Sequence, residues 1–357
     1  MAQIPDKIVA MAALSAKQPV ERYEYPVKPR AKLDVDIAVT YNGVCASDVH
    51  MIDNDWAMSR YPLVPGHEVV GRVLAVGEAV TDLKVGDVVG LGCLAQKCDH
   101  CEWCDRKLDN LCPERRFTYF ATTVDETGEH VHHGGFSSFI RTDARGLFKI
   151  PEGYSEAHAG PLMCAGITVG APLYEFCGNS FNGAGKRIAV VGLGGLGHLA
   201  VQFAAKMGAE VTVVSRGEAK KSFATELGAQ RFVDSENAEQ MKAAAASVDL
   251  LLVCVSGGRF DVMSYIGLLR PYGHIHFVGV PEEDLKFSVM PLLFNRLTLS
   301  ASPIGSSEQM RAMLAFAAKH KIEPIIEVFP HSKANEAIQK VRDNTIRFRA
   351  VLKNDLV

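Results

Sequence analysis

Charge imbalance is nearly absent from this chain: 38 Lys and Arg against 41 Asp and Glu leave a net −3 over 357 residues. So weak a field gives no footprint for nucleic acid or for an anionic membrane surface. Long apolar runs are missing as well. The longest candidate, Ile188 to Val214, is broken by glycines and by His198, Gln202, Lys206 and Glu210, so no membrane span is expected. Met1 to Lys17 lacks a basic start followed by a sustained apolar core, so no signal peptide is expected. No repeat or low-complexity tract stands out. What remains is an ordinary globular balance, 48% hydrophobic and 22% charged, of a length that suggests about two domains.

Cysteine, by contrast, is plentiful at nine residues. In a chain without an export signal this points to a reducing, cytoplasmic setting with thiols kept for metal. Four of them stand close together as Cys98-x-x-Cys101-x-x-Cys104, followed after seven residues by Cys112. That spacing fits a tetrahedral four-thiolate zinc site, which has no open position and is therefore structural. A disulfide reading is weakened by the missing leader. A redox reading is weakened because it needs one CxxC with one acidic thiol.

The chain changes character along its length. Up to about Glu156 it is rich in Gly, Pro and short alternating runs. Val35, Ile37, Val39 and Tyr41 alternate with Asp36, Ala38 and Thr40, the pattern of a half-buried strand. Val69–Val76 and Val85–Val89 read as further strands. From about Arg187 strands alternate with helices, which argues a parallel sheet covered on both faces. The tail reads as helices near Ser307–Lys319 and Lys333–Arg342 and a strand near Phe348–Leu352. The expected class is α/β: a β-rich zinc-binding domain of residues 1–156 and 303–357, interrupted by a doubly wound dinucleotide-binding domain of residues 157–302.

Gly192-Leu193-Gly194-Gly195-Leu196-Gly197 is a GxGxxG motif in the right context. An apolar run, Arg187–Val191, precedes it. Leu196, Leu199, Ala200, Phe203, Ala204 and Met207 then recur at steps of three and four, the stripe of an amphipathic helix closed by Gly208. Such glycines permit a tight turn, a close backbone approach to pyrophosphate and close helix–strand packing, with the anion at the helix N-terminus. The end of the next strand discriminates between cofactors. Val213-Val214-Ser215-Arg216-Gly217 offers no carboxylate for a ribose 2′-hydroxyl, whereas Ser215 and Arg216, with Lys220 and Lys221 nearby, suit a 2′-phosphate. NADP(H) is the expected cofactor.

Cys45, His67, Glu68 and Cys164 are scattered, and no spacing rule joins them. Two cysteines and one histidine do make one known catalytic zinc set. Taken separately, each Cys is equally read as a small core residue and the His as a hydrogen-bonded core residue.

The chain resembles the medium-chain zinc-dependent alcohol dehydrogenases, in particular the branch of the cinnamyl alcohol dehydrogenases. The resemblance rests on Gly43-Val44-Cys45-Ala46-Ser47-Asp48, on Tyr61 to Glu68, and on the four-cysteine lobe. It continues through Pro161 to Thr168, Gly192 to His198 and Ile304-Gly305-Ser306. It implies a GroES-like catalytic domain and a Rossmann cofactor domain, two Zn2+ per chain, and NADPH-dependent reversible reduction of aldehydes to primary alcohols. Cys45, His67 and Cys164 would bind the catalytic zinc, with Glu68 as an alternative ligand. Asp48 would orient His67. Ser47 and His50 would relay a proton, Thr168 would lie at the cofactor, and Trp56 and Phe117 would line the substrate pocket. A homodimer is implied, with Leu268–Val280 and Leu285–Val289 as its edge strands.

Some residues depart from the family pattern. Ala46 replaces a common His, and Pro303 a common non-proline residue. Cys93, Cys177 and Cys254 match no ligand position and read as core or near-surface thiols. His130, His132 and His133 read as a polar loop rather than a third metal site. Reduction of an activated C=N or C=C bond, and secondary-alcohol or polyol oxidation, stay open as alternative activities on the same fold.

Overall fold

The computed structural model describes residues 4–257, 260–281 and 283–356. Its contacts divide the chain into two units. One comprises the residues up to Cys164, Ser306–Leu314 and the chain from Pro324 on; the other comprises Ala165–Gly305 with Ala315–Glu323.

The first unit is built on a mixed sheet around the long strand Asp34–Val44. Val69–Val76 pairs with it antiparallel, Val88–Leu91 follows, and Leu147–Lys149 closes that side. The tail returns here: Arg349–Lys353 pairs antiparallel with Asp34–Val44, with Ala350 opposite Val44, and Ile326–Pro330 lies beyond it. The expectation of a half-buried central strand needs correction. Val35, Ile37 and Val39 are buried, but so is Asp36. Arg141 donates two hydrogen bonds to Asp36, at 2.6 and 3.0 Å, and Arg30 adds another, so a fully satisfied carboxylate can occupy a buried face. The expected strand at Val85–Val89 lies three residues later, because Gly86 (φ +91°) makes the turn before it.

The second unit is a six-stranded, wholly parallel sheet. Its spatial order is Arg231–Asp234, Glu210–Ser215, Arg187–Val191, Val248–Val253, Leu269–Phe277, Thr298–Ala301. The order reverses at Arg187–Val191, which makes its carboxyl end the switch point where dinucleotides bind in this fold. Ile188 to Val191 are essentially inaccessible, as a strand covered on both faces must be. One expectation fails here. Leu269–Phe277 is an internal strand and Leu285–Val289 forms no strand; the edge is Thr298–Ala301. No helix among the described residues is long and apolar enough to cross a membrane.

Candidate active site

Three segments of the first unit converge on one buried cluster. Cys45 follows the central strand and caps the N-terminus of the helix Ala46–Asp53. His67 and Glu68 precede the strand Val69–Val76. Cys164 lies in a wide-turned segment, Leu162–Gly166, inserted between the helices Glu156–Pro161 and Ile167–Phe176. Such single wide turns redirect side chains and are common at functional sites. The ligand atoms of Cys45, His67, Glu68 and Cys164 all lie within 4.8 Å of one another.

Asp48, fully buried, fastens this arrangement. Its Oδ2 accepts the backbone N–H of Cys45 at 2.9 Å. Its Oδ1 accepts the N–H of Gly66 at 3.0 Å, the Tyr119 hydroxyl at 2.8 Å and the His67 Nδ1–H at 2.9 Å. The last bond fixes the His67 tautomer and turns the Nε2 lone pair inward, 3.2 Å from Cys164 Sγ. Burial alone would lower the His67 pKa, but Asp48, with Cys93 and Tyr119, outweighs it and holds the imidazole well above its ordinary value, so that a cation binding at Nε2 would displace a proton there. Two glycines make room. A Cβ on Gly43 would overlap the Glu68 carboxylate, and Gly66 (φ +107°) faces Phe136 and Asn42 with no space for one.

Glu68 is fully buried. One of its oxygens accepts from the Arg349 guanidinium, while Oε2 has no hydrogen-bond partner. Burial drives its pKa up to about 8 despite Arg349. A hydrogen bond from Cys164 draws the Cys45 thiol well below its ordinary value, and the same coupling pushes Cys164 up. Two thiols, an oriented imidazole nitrogen and an orphaned carboxylate oxygen in one buried volume make a donor set that fits a divalent, thiophilic cation such as zinc.

Cys98, Cys101, Cys104 and Cys112 also come together, with sulfur separations of 3.5 to 3.9 Å. Four thiolates placed tetrahedrally about 2.3 Å from a zinc would lie about 3.8 Å apart, so this set also fits. Backbone donation from Cys104 draws the Cys101 thiol down to about 7, whereas burial drives Cys104 up to about 12. Four thiols in one volume cannot all ionise without a cation to hold them.

Other expected residues fall as follows. Ser47 Oγ is 3.7 Å from Cys45 Sγ. His50, on the same helix, is partly exposed, bonded through Nδ1 to Asp55 at 2.8 Å and packed against Trp56 with ring centroids 5.1 Å apart. Trp56 is largely exposed, and Phe117 stacks on Phe120 at 5.0 Å. In the second unit the Gly192 turn (φ +91°) opens the glycine motif, and a Cβ on Gly197 would overlap the Gly192 carbonyl, so the helix Gly197–Lys206 packs tightly on its strand. A Cβ on Gly194 would meet nothing within 4 Å, which leaves open space along the loop between Gly192 and Gly197. Ser215 ends its strand and Arg216 is exposed beside it. Lys220 Nζ bonds back to the Leu193 carbonyl at 3.0 Å. The nearest acid, Glu218, is engaged by Gln240 at 3.2 Å and by Lys221 at 3.6 Å. Thr168 donates to the Pro303 carbonyl at 2.9 Å.

Cys93, expected as a core or near-surface thiol and partly exposed, has a placement the sequence did not show: its Sγ lies 4.0 Å from Cys164 Sγ, beside the ligand cluster. Of the histidine stretch, His130 lies in an ordered hairpin, Thr122–Asp125 with Gly128–Val131, while His132 and His133 follow it outside any strand, as a loop reading expects. His130 bonds Thr127, His132 bonds Thr123 and the Phe117 carbonyl, and His133 packs on Tyr25. Arg349 and Tyr119 escaped sequence reasoning. The one available signal for Arg349 was a charge heading the apolar run Ala350–Leu352, which needs a partner if it is buried.

Comparison with known proteins decides the family. The alcohol dehydrogenase GroES-like domain family matches residues 31–152, and the zinc-binding dehydrogenase family matches residues 195–319. The aldehyde reductase AdhA of Synechocystis is 41% identical over 97% of this chain and 98% of its own. The chain belongs to the medium-chain zinc-dependent alcohol dehydrogenases. Within that family it is like the cinnamyl alcohol dehydrogenases. Vomilenine reductase of Rauvolfia serpentina is 39% identical over 98% of this chain and 95% of its own. The cinnamyl alcohol dehydrogenase structure from Sorghum bicolor superposes with a TM-score of 0.91 at 36% identity, covering 98% of this chain and 99% of that one. The Helicobacter pylori structure, described as complexed with NADP(H), gives 0.86 at 30% identity, covering 97% and 98%. This medium-chain alcohol dehydrogenase is thus an alcohol and aldehyde oxidoreductase with the GroES-like and Rossmann architecture.

Proposed function

We propose that this dehydrogenase reduces aldehydes to primary alcohols, reversibly, with NADPH, using a catalytic zinc on Cys45, His67 and Cys164 and a structural zinc on the four-cysteine lobe. The observation that carries the reading is the convergence of the two thiols and the oriented Nε2 on one volume, with Cys45 and His67 both tied to Asp48. When bound, zinc supplies Lewis acidity toward the substrate oxygen, and the nicotinamide supplies the hydride.

The protein's own residues do the rest. Two thiolate ligands neutralise the metal's formal charge. Glu68 Oε2, buried and unpartnered, would offer a further oxygen ligand to a metal at this site. Ser47, at the foot of the helix beside Cys45, hands a proton toward His50, which lies one turn further along that helix, partly exposed, and exchanges it with solvent. Asp55 keeps the His50 ring in place.

NADPH is favoured over NADH because the strand end Ser215–Arg216 presents a hydroxyl and a guanidinium where an NAD site needs a carboxylate, and because Glu218 is held by Gln240 and Lys221. The Helicobacter relative's NADP(H) complex supports this choice. Aldehydes are favoured as substrates by relatives named aldehyde reductase and cinnamyl alcohol dehydrogenase. Other relatives are named mannitol dehydrogenase, which keeps polyols in the substrate screen.

Arg216→Asp tests the cofactor assignment. The variant should lose about tenfold or more in kcat/KM for NADPH while NADH is unchanged or improved. Equal loss with both cofactors would refute a contact between Arg216 and the 2′-phosphate.

A further inference from the structure

The catalytic cluster contains a third thiol that the ligand set leaves over. Cys93 follows the strand Val88–Leu91, and its Sγ lies 4.0 Å from Cys164 Sγ. It falls outside the group formed by Cys45, His67, Glu68 and Cys164. When a metal occupies that group, Cys45 and Cys164 are ligated and Cys93 is the free thiol beside them. Cys93 is also partly exposed, whereas Cys164 is buried.

The backbones at the two cysteines are pressed together. A Cβ on Gly92 would lie 2.7 Å from the Met163 carbonyl oxygen, so the residues just before Cys93 and Cys164 touch main chain to main chain. Only a glycine at position 92 allows that approach. The Cys93 side is fixed in place: its carbonyl accepts the Thr118 N–H at 3.0 Å, and the Thr118 hydroxyl donates to the Gly92 carbonyl. Two thiols 4.0 Å apart on anchored backbones are placed to close toward the roughly 2.05 Å of an S–S bond.

We propose that Cys93 is an oxidation site at which a hydroperoxide links it to Cys164 and so expels the catalytic zinc. This rests on the zinc reading of the Cys45, His67 and Cys164 cluster. In the first step the Cys93 sulfur attacks the hydroperoxide; the O–O bond breaks, an alcohol (water, from hydrogen peroxide) leaves, and Cys93 becomes a sulfenic acid. In the second step the Cys164 thiolate attacks that sulfur; the S–S bond forms, the S–O bond breaks, and hydroxide leaves. The two sulfurs together lose the two electrons that the peroxide gains. A metal there would keep one thiolate, one imidazole and at most the Glu68 carboxylate, a weaker set for a thiophilic cation, and would be released. A dithiol reductant reverses the linkage, and zinc restores the site.

The experiment uses the zinc-replete protein. Its metal content is measured first, then it is exposed to hydrogen peroxide while zinc release is followed with a chromogenic chelator. Disulfides are mapped by mass spectrometry of non-reduced peptides. The proposal predicts a peptide joining Cys93 to Cys164, release of one zinc per chain in step with it, and release at least about tenfold slower in Cys93→Ser. An unchanged rate in Cys93→Ser, or a link between Cys45 and Cys164 in place of the predicted one, would overturn it. Metal-stripped protein exposed in parallel separates the two levels. If zinc is absent at the outset, the metal reading fails, while the Cys93–Cys164 link still reports on the thiol geometry.

Discussion

One residue, Asp48, holds the candidate active site together. It is a single buried carboxylate that accepts from the backbone before one ligand (Gly66 N), the backbone of another (Cys45 N), and the ring of His67. Asp48→Asn keeps the size but replaces one acceptor oxygen by a donor and removes the charge that favours the Nδ1–H tautomer. We expect zinc affinity at the Cys45 site to fall by about 10- to 100-fold, read by competition with a chromogenic chelator, while the four-cysteine lobe keeps its metal. Unchanged affinity would mean that His67 is positioned by packing alone. At this scale much was legible in the sequence, because ligand chemistry resides in residue type and the family resemblance supplied the grouping. Cys93, Tyr119 and Arg349 were not. Their roles come from contacts between segments 52 to 281 residues apart, which neither spacing nor periodicity encodes.

Among the elements, the glycine-motif helix and the parallel strands were legible because a 3.6-residue stripe and continuous apolar runs are local signals. The hairpin Thr122–Val131 was not. It has no two-residue glycine turn of the favoured kind; its His130 bonds the nearby Thr127 hydroxyl, and His132 just beyond it bonds the Thr123 hydroxyl and the Phe117 carbonyl. Asp36 misled for a related reason, since its two arginine partners lie outside the strand.

The short turn His331–Lys333 yields a pH prediction. His331 is inaccessible, stacked edge-on against Phe136, and neither ring nitrogen has a hydrogen-bond partner. Burial lowers its pKa from 6.5 to about 4. The unfolded chain therefore takes up this proton first as pH falls. The stability contribution is complete above about pH 6.5 and is lost as pH drops toward 4, amounting to about 3 kcal/mol. His331→Leu should flatten the pH dependence of the urea midpoint between pH 7.5 and 4 by about that amount. An unaltered profile would show that His331 is not buried neutral.

At the scale of the whole molecule, the second unit leaves an apolar face uncovered. Phe287, Val289, Met290, Leu293 and Phe294 are all more than 45% exposed, and Leu299 lies on the edge strand Thr298–Ala301. An edge strand beside exposed apolar side chains is a pairing surface, and we propose that it joins two copies of this dehydrogenase. Light scattering should give twice the chain mass of 38.8 kDa; a monomer at micromolar concentration would refute the pairing. Two-domain organisation was legible from the shift in composition near Glu156 and Arg187. The edge of the sheet was not, because strand order is set by crossover connections rather than by any single strand.

The measurement that bears most directly on the proposed activity is the initial rate of cinnamaldehyde reduction with NADPH, beside NADH, on protein of known zinc content. The account predicts two zincs per chain and a rate selective for NADPH that disappears in Cys164→Ala. Two bound zincs with no turnover on any aldehyde would contradict the substrate class, and turnover that survives Cys164→Ala would contradict the catalytic zinc.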